Sequence, residues 1–141
     1  VDVYYDLYGP IVPLGGADLS GADLHDTGLW GADIENADFS GANFRGAYLT
    51  DTTLFNANLS NANLSNAQLG KIFVGLSDSW LHSAHLGGAN FSGANLSEAS
   101  LYGVDLSEAK NLTQQQLNQV QTCKDASLPP GLTCYNNQTP P

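Results

Sequence analysis

Basic residues are scarce. The 141-residue chain has four Lys and Arg against 14 Asp and Glu, a formal net charge of -10. Phosphate contacts need clustered cations, so direct nucleic-acid binding is not expected. Charge of either sign is thin, at 13% of residues, against about a quarter in ordinary globular proteins. No apolar run approaches the ~20 residues of a membrane-spanning helix. Methionine is absent, so the chain as written does not start at an initiator. Either a leading segment was removed, for which signal-peptide cleavage is one route, or the sequence is a fragment. There is no G-x-S-x-G, no phosphate loop and no D-x-[DN]-x-[DN]-G calcium loop. Neither an enzyme nor a bound cofactor is expected.

What the chain has is a beat of five. From Leu19 an apolar residue returns at Leu24, Leu29, Ile34, Phe39, Phe44, Leu49, Leu54, Leu59, Leu64 and Leu69. Two positions before each stands a small residue, such as Ala17, Ala22, Thr27, Ala32 and Ala37. Between them is usually Asp or Asn, as in Asp18, Asp23, Asp33, Asp38, Asn43, Asn58 and Asn63. After Leu69 the phase slips by two, then resumes at Leu76, Leu81, Leu86, Phe91, Leu96, Leu101 and Leu106.

A helix has period 3.6 and a strand period 2, so neither explains five. A chain that turns a corner every five residues does, because each large residue then points inward. Four such sides make a square coil of about 20 residues, and coils stack about 4.8 Å apart. The small residue follows, since two large side chains per side would overfill a narrow square. Gly, Asn, Asp and Ser are the residues expected at sharp corners. Stacking with a two-residue slip predicts four apolar columns. They are Leu19, Phe39, Leu59, Leu81, Leu101; Leu24, Phe44, Leu64, Leu86, Leu106; Leu29, Leu49, Leu69, Phe91; and Ile34, Leu54, Leu76, Leu96. The fold class is an all-β solenoid.

The units Ala17-Asp18-Leu19-Ser20-Gly21 and Ala94-Asn95-Leu96-Ser97 resemble the pentapeptide repeat family, over roughly residues 12–110. The resemblance implies a right-handed quadrilateral β-helix, here of four to five coils capped by a short C-terminal α-helix. The late pair of cysteines and the helix before them resemble the lumenal or periplasmic members of cyanobacteria and chloroplasts. That implies an exported protein of a thylakoid lumen or periplasm, acting as a structural or interaction scaffold toward an unidentified protein partner. Other members mimic DNA and bind DNA gyrase, and the acidic charge makes this the alternative.

Residues 1–16 are expected to be an N-terminal cap and 17–110 the β-helix, with a two-residue insertion near 70–75. Residues 111–141 are expected to be a helical cap and tail. The insertion reads either as a tolerated bulge that tucks Phe73 against the wall or as a protruding knob. Thr113 with Gln116 forms a capping box, and Leu112 with Leu117 a hydrophobic staple. These predict a short helix over 114–122. Cys123 and Cys134 flank Pro129-Pro130-Gly131 and can meet. A disulfide would imply an oxidising compartment. Two free thiols, or a metal site, are the other readings. A monomer is expected.

His82 and His85 form H-x-x-H with Asp105 one coil beyond His85, a possible zinc set without a third strong ligand. Both are expected to be solvated, and no metal is assigned. His25 reads as isolated surface. An outward column Asp23, Asn43, Asn63, His85, Asp105 is expected, with no pocket to shift carboxylate pKa values. Outward aromatics mark interaction surfaces better than the repeats. Trp30, Tyr48 and Phe55 are expected to project on adjoining faces, and Trp80 with Tyr102 from another.

Overall fold

The computed structural model describes residues 14–70, 72–74, 79–81 and 83–137, with backbone alone for 72–74 and 79–81. The expected cap over residues 1–16 lies outside them save for 14–16.

Each side of the tube is too short for a continuous strand, so coils pair through single parallel bridges. These fall into four columns: Asp18–Asp38–Asn58–Asn90–Lys110, Asp23–Asn43–Asn63–Asn95, Gly28–Tyr48–Gln68–Ser100–Thr122 and Asp33–Thr53–His85–Asp105–Ser127. The residue after each bridge position carries the large inward side chain, save at Lys110, which exposed Asn111 follows. Leu49, Leu54, Leu59, Leu64 and Leu69 are fully buried, as are Phe39, Phe44 and Phe91. Phe39 and Phe44 meet edge to face on adjoining sides, with ring centroids 5.0 Å apart. Ala37, Ala42, Ala47, Ala57 and Ala62 fill the gaps between these layers and are equally buried.

Where Thr takes the small position, its hydroxyl enters the lumen and needs an acceptor. Thr27 Oγ1 donates to the Leu24 carbonyl at 2.6 Å, and Thr52 Oγ1 to the Leu29 carbonyl at 2.8 Å. Both find a backbone oxygen without leaving the apolar interior.

The corners are hydrogen-bonded turns. At one of them Ala42 N–H donates to the Phe39 carbonyl at 2.9 Å, and Gly41 has φ 68°. A positive φ at the third turn residue is the type II arrangement, which suits Gly and Asn. Nothing lies within 4 Å of where a Cβ on Gly41 would stand. The demand there is therefore conformational and not one of space. Asn56, Asn61 and Asn66 take the same left-handed conformation at their corners.

The insertion is longer than the phase slip suggests. Bridge partners such as Asn43 and Asn63 stand 20 residues apart, but Asn58 and Asn90 stand 32 apart. The difference between 32 and 20 is twelve extra residues. Twelve leaves a remainder of two against a period of five, so phase alone cannot separate it from an insertion of two. Within it, β1 (Ile72–Val74) pairs antiparallel with β2 (Ser79–Leu81), Phe73 opposite Trp80. Ala84 N–H donates to the Leu69 carbonyl at 2.8 Å. This is the ordinary corner bond, closed across the whole insertion.

The predicted columns are therefore corrected beyond Leu69. Leu86 stacks on Leu54, Phe91 on Leu59, Leu96 on Leu64 and Leu101 on Leu69, as the bridges beside them require. Leu81 lies in β2 and outside these columns. The position of Leu76 and the Phe73 side chain lie outside the described residues.

Near the C-terminus α1 spans Gln114–Leu117, shorter than the expected run to residue 122. Thr113 Oγ1 accepts from Gln116 N–H, and the Gln116 side chain accepts from Thr113 N–H at 2.8 Å. Leu112, Leu117 and Val120 are buried. Gln116 Nε2 donates to the carbonyls of Phe91 and Ala94, at 2.7 and 2.9 Å, and so ties α1 to the coil below. Cys123 then takes the inward position above Leu101.

Replacing Leu64 by Ala should cost about 2–5 kcal/mol, the usual range for a buried Leu. Leu64→Asp should abolish the cooperative transition, because a carboxylate there has no partner in the lumen. Denaturant melts followed by circular dichroism check both.

Candidate functional site

The wall outside the lumen is organised by the Asp and Asn that precede each large residue. Their side-chain oxygen accepts from the backbone N–H two residues on, as Asp38 does from Ser40 at 2.9 Å and Asn58 from Ser60 at 3.1 Å. This is an Asx turn, and it sets the corner. An Asn also has an amide to donate, and it donates to the coil before. Asn58 Nδ2 reaches Asp38 at 3.0 Å, Asn90 reaches Asn58 at 3.3 Å and Asn111 reaches Asn90 at 2.9 Å. On the next side Asn43 reaches Asp23 at 3.0 Å, Asn63 reaches Asn43 at 3.3 Å and Asn95 reaches Asn63 at 3.3 Å. An ionised Asp accepts only. It can serve as the first rung but cannot continue a ladder, and Asp38 and Asp23 are those first rungs.

The ladder through Asn63 therefore continues to Asn95, and His85 belongs to the side of Asp33 and Thr53. The expected column joining Asn63 to His85 is corrected by the same twelve residues. The pairing of His85 with Asp105 in one column stands. His82 lies outside the described residues. Among the described residues no group of three His, Cys, Asp or Glu is placed to hold a metal ion.

Some carboxylates are shifted downward although they face water. Ser107 donates from its hydroxyl and its N–H to Asp105, at 2.6 and 3.0 Å, and holds that carboxyl below its usual value. Hydrogen bonds from Ser20 do the same for Asp18. His25 Nδ1 stands 2.8 Å from Asp23 Oδ1, which lowers Asp23 and raises His25. His25 is thus exposed but paired, where the sequence reading had it isolated. Local turn hydrogen bonds, not a pocket, cause these shifts.

The aromatic residues are arranged differently from expectation. Trp30 does not project. Its ring lies across Gly28, where any Cβ would collide with it, and stacks on Tyr48 with centroids 5.0 Å apart. Tyr48 is 45% exposed. Trp30 Nε1 is buried without an acceptor among the described residues. Tyr102 stands on this same wall, not on a separate one. Its backbone lies against Gly70, where a side chain would collide with it, and the bridge Gln68–Ser100 sets that register. The Trp80 side chain lies outside the described residues. Phe55 is 42% exposed beneath Gly87 on the adjoining side, its ring 5.6 Å from that of His85. The sequence reading missed that Thr50 and Ser100, both outward in phase, are buried on the wall of Tyr48. It also missed the open groove beside Phe55.

Cys123 and Cys134 are joined in a disulfide, with Cα atoms 5.7 Å apart. Cys123 N–H donates to the Asn136 carbonyl at 2.8 Å, so the tail runs back over the last coil beside the bridge. No helix among the described residues is long and apolar enough to cross a membrane.

The family model for pentapeptide repeats matches residues 14–41, 32–70 and 76–110. The chain belongs to the pentapeptide repeat family. Its members fold as right-handed quadrilateral β-helices, and no catalytic class is indicated. Among solved structures the chain is similar to HetL, a pentapeptide repeat protein involved in heterocyst differentiation regulation in the cyanobacterium Nostoc sp. strain PCC 7120. They share 28% identity over 85% of this chain and 52% of HetL, with a TM-score of 0.55. The chain thus spans about half the length of HetL. It is also similar to a pentapeptide repeat protein of the Arabidopsis thaliana thylakoid lumen, at 27% identity over 78% of this chain and 79% of that one, with a TM-score of 0.34. QnrB1, a plasmid-mediated fluoroquinolone resistance protein, matches at 20% identity over 79% of this chain and 60% of its own, with a TM-score of 0.45. No individually curated protein matches in sequence.

Two predictions follow from the wall chemistry. Asn58→Asp removes a donor and sets a second carboxylate against Asp38. It should destabilise by about 1 kcal/mol at neutral pH. The loss should shrink as pH falls and a carboxyl regains a proton to donate, which melts at several pH values measure. The wild-type profile has two limbs. The lowered Asp18, Asp23 and Asp105 stabilise fully above their ordinary value of 3.8. That share is lost as pH falls through the folded values. The raised His25 stabilises fully below 6.5, and its share is lost as pH rises through its folded value. Asp23→Asn should flatten both limbs in Tm against pH.

Proposed function

We propose that this chain is a non-enzymatic, monomeric protein-interaction scaffold of four to five coils, with the α1 segment capping its C-terminal end. The observation that carries this reading is the Trp30–Tyr48 pair. It sets a large, partly exposed aromatic surface on the wall that also carries Gln68, Ser100 and Tyr102. Rigid aromatic surface of this kind is what protein partners use as anchors. The Cys123–Cys134 disulfide supports work in an oxidising compartment, a thylakoid lumen or a periplasm.

To test it, Tyr48 is replaced by the photo-crosslinker p-benzoylphenylalanine and the protein is irradiated in an extract of the source compartment. A discrete adduct is expected, competed away by excess unmodified protein. The same crosslinker at Ser92, exposed on the polar wall, should give none. Identical products from both positions remove the reading.

A second reading, an acidic DNA mimic that binds DNA gyrase, is favoured by the net charge of -10. Gyrase supercoiling assayed with excess protein decides it. Inhibition supports the mimic and an unchanged rate removes it.

A further inference from the structure

Phe55, His85, Asp105 and Glu108 converge on one groove of about 320 Å³, whose floor includes Ala84, Leu86 and Gly87. The column Thr53–His85–Asp105 brings residues far apart in sequence to one side of the tube. Gly87 keeps the groove open. The point where its Cβ would stand is 3.0 Å from Phe55 Cδ1 and 3.5 Å from Glu108 Oε2. An aromatic ring and a carboxylate therefore flank the same empty point. The Phe55 and His85 rings are tilted by 31° to each other, and both residues line the groove.

The charge of the groove is one-sided. Asp105 and Glu108 line it, and among the described residues no Lys or Arg does. Asp105 is fixed by both donors of Ser107, which favour its ionised form. The whole chain carries only four cationic residues, so little in it competes for these carboxylates. An apolar or anionic occupant would leave both carboxylates uncompensated. A point cation would use them but not the rings. A guanidinium uses both, because it is planar, stacks on aromatic faces and bonds carboxylates through paired donors.

We propose that this groove docks an arginine side chain presented by a protein partner, stacked against Phe55 and hydrogen-bonded by Glu108 and Asp105. The proposal rests on the scaffold reading and names the chemistry of a second contact, on the side next to the Trp30–Tyr48 wall.

The test titrates the full 15N-labelled chain with the peptide acetyl-Gly-Arg-Gly-amide, and with the same peptide carrying Gln in place of Arg, by amide chemical shift. Saturable shifts are expected with the Arg peptide, gathered at Phe55, His85, Gly87 and Asp105, and absent with the Gln peptide. Phe55→Leu keeps apolar volume but removes the ring, and Glu108→Gln removes a charge. Each should weaken binding about two- to fivefold. Both positions are on the surface, and the unperturbed amide spectrum checks that each variant is folded. Shifts spread equally over Asp18, Asp23 and Asp38 would mean general attraction to an acidic wall and overturn the proposal. Equal binding of the Gln peptide, or no binding, also overturns it. If the Tyr48 adduct persists when the Arg peptide fails, the groove assignment falls and the scaffold stands. If the adduct is missing while the Arg peptide binds, the reverse holds.

Discussion

Every level of this protein depends on a corner closed after each fifth residue. The N–H of the small residue returns to the carbonyl of the large residue three positions before, as Ala42 does to Phe39 and Ala62 to Leu59. The residue between them that carries the positive φ is Gly, Asn or Asp, the types that tolerate the left-handed region, with Glu98 the exception among the described residues. With the corners set, each side has room for one large and one small inward side chain. The lumen then fills with Leu and Phe separated by Ala, and backbone groups facing along the tube pair with the coils on either side.

The wall is a second layer of the same order. An Asx side chain sets its own corner with one oxygen and, when it is Asn, grips the coil before with its amide. Coil-to-coil contact is thus made twice, once by backbone and once by side chain. The side-chain layer has a direction, because Asn can pass the interaction on and Asp can only receive it. A neutral amide surface also explains how a chain with few charges stays polar outside. Against such a surface, large aromatic groups stand out as places where water is more easily displaced.

Much of this was legible from residue spacing. The period of five, the small residue two before the large one and the corner residues led to a square tube, and Thr113 with Gln116 to the start of α1. Registration across the insertion was not legible. Spacing reports position only modulo five, so twelve residues and two look the same, and every column beyond Leu69 was displaced by half a coil. The aromatic residues failed for another reason. Phase says that Trp30 leaves the wall outward, but the bare backbone of Gly28 lets its ring fold flat and meet Tyr48. Tyr102 was set on the wrong wall by the register error. The groove at Phe55 needs Gly87 above it, a neighbour only the true register supplies.

The hairpin of β1 and β2 departs from and rejoins the tube at a single corner, whose bond from Ala84 to Leu69 is the same as at any other. Such a doorway is indifferent to what hangs from it. A longer hairpin, a binding loop or an entire foreign module whose two ends lie a few ångströms apart could be spliced there while the coils on both sides keep their stacking. The architecture separates the part that must repeat from the part that is free to diversify, and a lineage of such rods can acquire new recognition without remaking its frame.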